Sequence, residues 1–183
     1  DKPYAVIVAI GAKPIIPSNI PGVNNENVFD AIDLLNNPVL IKDKSKVLIV
    51  GGGMTGCELA ELLSNKDCKV AIIEMQSELA TNESQITRTA MLKRLEENKN
   101  IEILTCHKLE SIKENAVELK DLKTGEKKLL SADYTVLSLG LSSSVNEIRK
   151  WKEMFEKTFV VGDAMSPSKV AFAIRTAFDV AYT

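Results

Sequence analysis

The chain has 183 residues, 45% of them hydrophobic and 26% charged, with a formal net charge of -2. That length allows one domain and part of another, with a sizeable core. The charge balance excludes nucleic acid or an anionic membrane surface as the main partner, and no apolar run is long enough to span a bilayer.

The chain opens on Asp1-Lys2-Pro3-Tyr4, without the basic region and long apolar stretch of a signal peptide. It also opens without a methionine, and it reads as a piece of a longer protein. Residues 4–10 (YAVIVAI) read as a strand ending at Gly11. Residues 12–17 continue extended, because proline and the residue before it disfavour helix. Pro21-Gly22 marks a turn, and residues 28–35 (VFDAIDLL) place Val28, Ala31, Ile32 and Leu35 on one face of a short helix. Residues 42–46 form a polar linker.

Residues 46–50 (KVLIV) read as a buried parallel strand. It stops at Gly51, Gly52 and Gly53, and good helix formers fill residues 54–64. A second strand then ends in Glu74. Gly51-x-Gly53-x-x-Gly56 is weak alone, but strand, helix and following acid are the context of a dinucleotide fingerprint. Gly51 permits a sharp turn. Gly53 lets backbone approach a pyrophosphate, and Gly56 lets the helix pack tightly. Gly52, Met54 and Thr55 complete the candidate cofactor-binding loop, and the free N–H groups and positive dipole end of the new helix face the phosphates. Glu74 would accept from the adenosine ribose hydroxyls. It would repel a 2′-phosphate, and Met75, Gln76 and Ser77 supply no arginine, so NAD(H) is expected over NADP(H). The competing reading is a glycine-rich turn without a ligand.

Cys57, Cys68 and Cys106 show no paired spacing, which suggests reduced thiols and a cytoplasmic protein. Cys57 sits in the helix's first turn, where the dipole could lower its pKa; the simpler reading is a small packing residue.

Residues 81–98 read as a helix with a solvated charged face, and residues 101–104 as a strand. Residues 109–114, 116–120 and 127–130 are short alternating runs split by turn signals, an antiparallel meander. Residues 134–139 (YTVLSL) form a buried strand ending at Gly140, and residues 141–146 (LSSSVN) a small-residue loop. A helix over 147–155, a strand over 158–161 into Gly162-Asp163 and an apolar helix over 170–181 complete the chain. The class is α/β, a Rossmann-like, mainly parallel sheet with an antiparallel meander. His107 is the only histidine, so no metal site is expected. Trp151 reads as a helix-face packing residue and Arg175 as a surface or interface residue.

Four blocks together resemble the pyridine nucleotide-disulfide oxidoreductase superfamily. Residues 4–14 (YAVIVAIGAKP) resemble its "ATGAxP" segment and residues 47–61 (VLIVGGGMTGCELAE) its NAD fingerprint. Residues 136–140 (VLSLG) resemble the strand after the meander and residues 159–164 (FVVGDA) the second FAD motif. GGGMTGCELAELL and the "EM" after the second strand are similar to the C-terminal half of old-yellow-enzyme-type 2-enoate and 2,4-dienoyl-CoA reductases. The chain departs from the pattern at Ile10, where threonine is usual, and in the loop 141–146, which lacks the usual proline. It contains no first FAD fingerprint, redox cysteine pair or cluster cysteines.

The resemblance implies a partial FAD-binding lobe and linker over 1–42, an NAD-binding domain over 43–155 and a return to the FAD lobe over 156–183. It implies that Gly11, Gly162 and Asp163 belong to the FAD site, with Asp163 accepting from a ribityl hydroxyl. Asp163 as a cap of the last helix is the plain alternative. Glu58 would lie near the nicotinamide, or be only a first-turn carboxylate. Gly140 would approach NAD, or be only a strand-ending glycine. The implied function is NADH docking and hydride transfer to FAD, which needs no catalytic side chain; a non-catalytic NAD(H)-binding module or part of a disulfide reductase are alternatives. Expected partners are the FAD-binding and upstream domains of a longer parent, a small-molecule substrate and, through exposed edges, a second copy in a homodimer. The chain alone is expected to be inactive.

Overall fold

The computed structural model describes residues 3–182; Asp1, Lys2 and Thr183, and with them the reading of the first two residues, lie outside the described residues. In chain order the strands and helices are β1 Val6–Val8, β2 Ala12–Pro14, β3 Val28–Asp30, α1 Ala31–Asn36, β4 Lys46–Val50, α2 Met54–Ser64, β5 Lys69–Ile73 and α3 Gln85–Glu97. Then follow β6 Ile101–Leu104, β7 His107–Ile112, β8 Ala116–Asp121, β9 Lys127–Ser131, β10 Tyr134–Leu137, β11 Leu141–Ser143, α4 Val145–Met154, β12 Thr158–Val160 and α5 Val170–Ala181.

The chain divides into two compact units: Ile16–Leu139, and the N-terminal residues through Ile15 together with everything from Gly140 onward. The larger unit is built on a five-stranded parallel sheet in the order β3-β10-β4-β5-β6. Its strands are short apolar runs because both faces are covered. Alternate residues face opposite sides. Val47, Ile49, Val70 and Ile72 pack against the helices with Leu59, Leu63, Met91 and Leu95. Leu48, Val50, Ala71 and Ile73 pack against the β7-β8-β9 meander with Leu109, Val117 and Leu119. Each such fully buried aliphatic side chain contributes about 1.5–3 kcal/mol.

The boundaries differ from the sequence reading of 43–155. Residues 16–42 belong with the central sheet, because β3 pairs in parallel register with β10, Val136 opposite Phe29. Residues 140–155 belong with the other unit, because β11 pairs antiparallel with β2, Ser142 opposite Lys13. This also corrects the expected loop at 141–146, whose first three residues are strand.

The expected helix over 28–35 is a strand followed by a short helix. Val28 and Phe29 are strand formers with a partner strand, and the Asp30 carboxylate stops the strand by accepting from the amides of Ile32 and Asp33 at 2.9 and 3.0 Å. The helix expected from 81 begins at Gln85, where Ser84 caps it by accepting from the Thr87 amide.

The smaller unit pairs β1 with β12 in parallel, in addition to the β2–β11 ribbon. Trp151 is exposed on α4 and stacks on Phe155, with ring centroids 6.0 Å apart.

Candidate functional site

At the end of β4 the chain turns at Gly51, whose φ of +108° and closeness to Ser138 O, 2.2 Å from where a Cβ would lie, admit only glycine. Its amide donates to Ile73 O at 2.9 Å, and the Ser138 amide donates to Val50 O at 2.8 Å, so the turn is fixed by both neighbouring strands. Gly56, in the first turn of α2, would carry a Cβ 2.1 Å from Gly51 O, which explains the tight helix–strand approach. Gly53 is the N-cap of α2, makes no side-chain cap bond and has no heavy atom within 4 Å of a built Cβ. The uncapped amide end of an 11-residue helix thus opens onto free space at a residue with no side chain. Met54 and Thr55 are half-buried there and Glu58 is exposed one turn on.

The Gly52 amide is engaged within the fold. Gly52 is buried, its amide donates to Glu74 Oε2 at 2.8 Å, and its carbonyl accepts from the Ala80 amide at 2.8 Å. A Cβ there would meet Leu79 at 2.2 Å. Glu74 Oε1 accepts from the Gln76 amide at 2.9 Å. The half-buried carboxylate is therefore held between two backbone amides, and each oxygen keeps acceptor capacity for a further donor.

Beside this turn lies an apolar cavity of about 400 Å³, walled by Ile20, Ile73, Leu109 and Leu139, with Gly51 and Glu74 at its edge. Sequence reasoning missed Ile20 and Leu109. The only signals were an apolar residue before the Pro21-Gly22 turn and the alternation along the meander. Arg88, the nearest arginine in sequence to Glu74, is engaged by Leu79 O at 2.8 Å and Glu78 at 2.7 Å.

Cys57 is fully buried under the loop, with its Sγ 3.6 Å from Gly52 O. Burial, aided by the charges of Glu61, Glu58 and Glu74, pushes its thiol up to about 11. The dipole-activated reading is thereby set aside in favour of packing.

The smaller unit gathers Gly11, Gly140, Gly162 and Asp163. Gly11 and Gly140 have φ of +71° and +86° where they lead into the strands of the β2–β11 ribbon, and Gly140 O accepts from the Ile15 amide at 3.0 Å. Ser143 Oγ donates to Asp163 O at 3.3 Å, and the Gly162 amide donates to Thr176 Oγ1 at 2.9 Å. Asp163 Oδ1 accepts from the Ser168 amide, ahead of α5, whose N-cap Lys169 makes no side-chain cap bond. Asp163 thus braces the loop before α5 rather than capping the helix. Val170, Ile174, Phe178 and Tyr182 form an exposed apolar stripe along α5.

The residues of the larger unit fit a dinucleotide: an uncapped helix end at Gly53 for a pyrophosphate and a fixed carboxylate on the adjacent strand for a diol. Those of the smaller unit fit a flavin only in part, since the chain has no first FAD fingerprint. Among the described residues there is no His, Cys, Asp or Glu group able to hold a metal, and no helix long and apolar enough to cross a membrane.

A parallel sheet with this glycine turn, and an acid ending the next strand, defines a dinucleotide-binding protein of the Rossmann kind. The chain belongs to the pyridine nucleotide-disulphide oxidoreductase family, which it matches over residues 3–171. The family comprises redox enzymes that use a flavin together with NAD(P)H. The chain is 34% identical over 163 residues to the bilirubin reductase of Mediterraneibacter gnavus, covering 89% of this chain and 24% of that protein. It is 34% identical over 186 residues to the NADH oxidase of Thermoanaerobacter brockii, covering 99% of this chain and 28% of that protein. The chain thus spans about a quarter of the length of these relatives, 24% and 28%. The fold superposes on a 2-naphthoyl-CoA reductase with a TM-score of 0.81 at 20% identity, covering 95% of this chain and 26% of that structure.

Proposed function

We propose that this chain is the NADH-docking part of an FAD-dependent oxidoreductase of the 2-enoate or 2,4-dienoyl-CoA reductase kind, or of an NADH oxidase. The observation that carries it is the uncapped end of α2 at Gly53, with the Glu74 carboxylate fixed on the neighbouring strand. The pyrophosphate lies against the α2 amides, Glu74 accepts from the adenosine ribose, and the apolar cavity beside Gly51 takes the base. Glu58 lies toward the nicotinamide. The α2 amides and Glu74 would hold the dinucleotide, which would supply a hydride for a bound flavin to accept. This chain's own residues only bind and orient.

NAD(H) is the dinucleotide. The Glu74 carboxylate repels a 2′-phosphate, and the Arg88 guanidinium is already held by Glu78 and Leu79 O. Similarity to a bilirubin reductase and an NADH oxidase, each far longer than this chain, favours a multidomain parent. The FAD-side and upstream domains of that parent cover the apolar stripe Val170, Ile174, Phe178 and Tyr182, and carry the small-molecule substrate site. The protein works in the cytoplasm, where its three free cysteines stay reduced, and a homodimer through the exposed edges of the smaller unit is its assembly. Alone, the chain docks NADH without turnover.

The test is a cofactor preference measurement on wild type and Glu74→Arg. Wild type should prefer NADH and the variant should shift toward NADPH. Equal affinity of wild type for the two cofactors sinks the reading.

A further inference from the structure

A second cavity, of about 320 Å³, lies at the opposite end of the central strands from Gly51. Lys46 opens β4 and Lys69 opens β5, and the two are direct partners in the parallel register. Both share a face with Leu48 and Ala71, on the meander side of the sheet. Neighbouring strands run roughly 4.8 Å apart, so two ammonium-bearing side chains leave the same face side by side. Lys99, just before β6, also lines the cavity. Asn100 Oδ1 accepts from Lys69 Nζ at 2.6 Å and orients it. Leu130 of β9 forms the far wall.

Like charges at paired strand positions destabilise a sheet. Lys13, Lys66, Lys93, Lys108 and Lys127 each meet a carboxylate. Among the described residues the ammonium groups of Lys46, Lys69 and Lys99 form no ion pair, although Glu102 lines the same cavity and the Asp133 carboxylate accepts from the Lys46 amide at 2.7 Å. Three cations concentrated at one cleft, beside the half-buried Leu130, form a receptor for an anion that carries an organic group.

We propose that this cleft is a second binding site, for a small molecule bearing a diphosphate, held by Lys46, Lys69 and Lys99 and separate from the glycine turn. The phosphate oxygens take the ammonium donors, and the organic part lies against the half-buried Leu130.

The test is calorimetric titration of the full-length protein, saturated with NADH to fill the glycine turn, with inorganic pyrophosphate and with uridine diphosphate. Both should bind wild type with a Kd of ~1 mM or tighter. The double variant Lys46→Glu/Lys69→Glu should weaken both by about tenfold or more, with NADH affinity unchanged. Lys69→Gln alone, the milder change, should weaken them less. Tighter binding of uridine diphosphate supports the organic diphosphate; equal binding replaces it with the phosphate group alone. No binding to wild type overturns the site, as does binding that both charge variants leave unchanged or that displaces NADH.

Discussion

The Glu74 carboxylate holds the Gly52 amide at 2.8 Å, so the acid that ends β5 fixes the loop that ends β4. The residue proposed to select the ribose is therefore also part of the frame of the glycine loop. Hydrogen bonds to charged groups contribute about 1.5–3 kcal/mol. Glu74→Ala should lower stability by about 1–3 kcal/mol and weaken NADH binding at least about tenfold, which is roughly 1.4 kcal/mol. Urea unfolding and NADH titration check the two effects on one variant. A variant that loses cofactor affinity with no loss of stability contradicts the framing role.

Gly56 and Gly53 should respond oppositely to a side chain. A Cβ at Gly56 would sit 2.1 Å from Gly51 O, a backbone atom that cannot move aside cheaply. Gly56→Ala should destabilise by about 1–3 kcal/mol or more, read as a fall in the urea midpoint. Gly53→Ala meets open space and should leave that midpoint within about 0.5 kcal/mol of wild type.

Cys57 should be chemically silent in the native protein. Burial raises its thiol from the model-compound value of 9.0 to about 11, and the thiolate is the reactive form. Disulfide-exchange labelling at pH 8 should modify Cys57 only on unfolding. Because the folded value is the higher one, the contribution to stability is intact below pH 9 and is lost as the pH rises through about 11. Rapid native labelling at Cys57 would overturn this.

The meander should weaken on acidification. Lys127 Nζ lies 3.2 Å from Glu118 Oε1 and, by that hydrogen bond and its charge, holds Glu118 below the ordinary 4.5. Lys108 does the same to Glu110. A lowered carboxylate stabilises the fold above pH 4.5 and loses that contribution as the pH falls through its folded value. In Lys127→Met, NMR titration of Glu118 should move up toward 4.5; an unmoved titration would mean the pair is not formed in solution.

The central sheet and glycine turn were legible because their signals are local. A short aliphatic strand, three glycines at fixed spacing and an acid one strand later leave little freedom. Residues 28–35 misled because VFDAIDLL satisfies a helical face as well as a strand. Pairing of Val28–Asp30 with β10 and the Asp30 cap decide it, and neither is visible in the window itself. Leu141–Ser143 looked like a loop because its serines are poor strand formers; its partner Ala12–Pro14 is remote in sequence. The contacts of Gly52 with Leu79 and Glu74 were not legible, since they arise only when the chain folds. The apolar cavity was hidden for the same reason, drawing Ile20, Ile73 and Leu109 from three separate segments.

The central claim is that a pyrophosphate lies against the open helix end at Gly53, and calorimetric titration of NADH into the full-length protein and its Gly53→Val variant tests it most directly. The account predicts binding to wild type that is abolished in a variant with unchanged folding. Unaltered NADH affinity in Gly53→Val would contradict it.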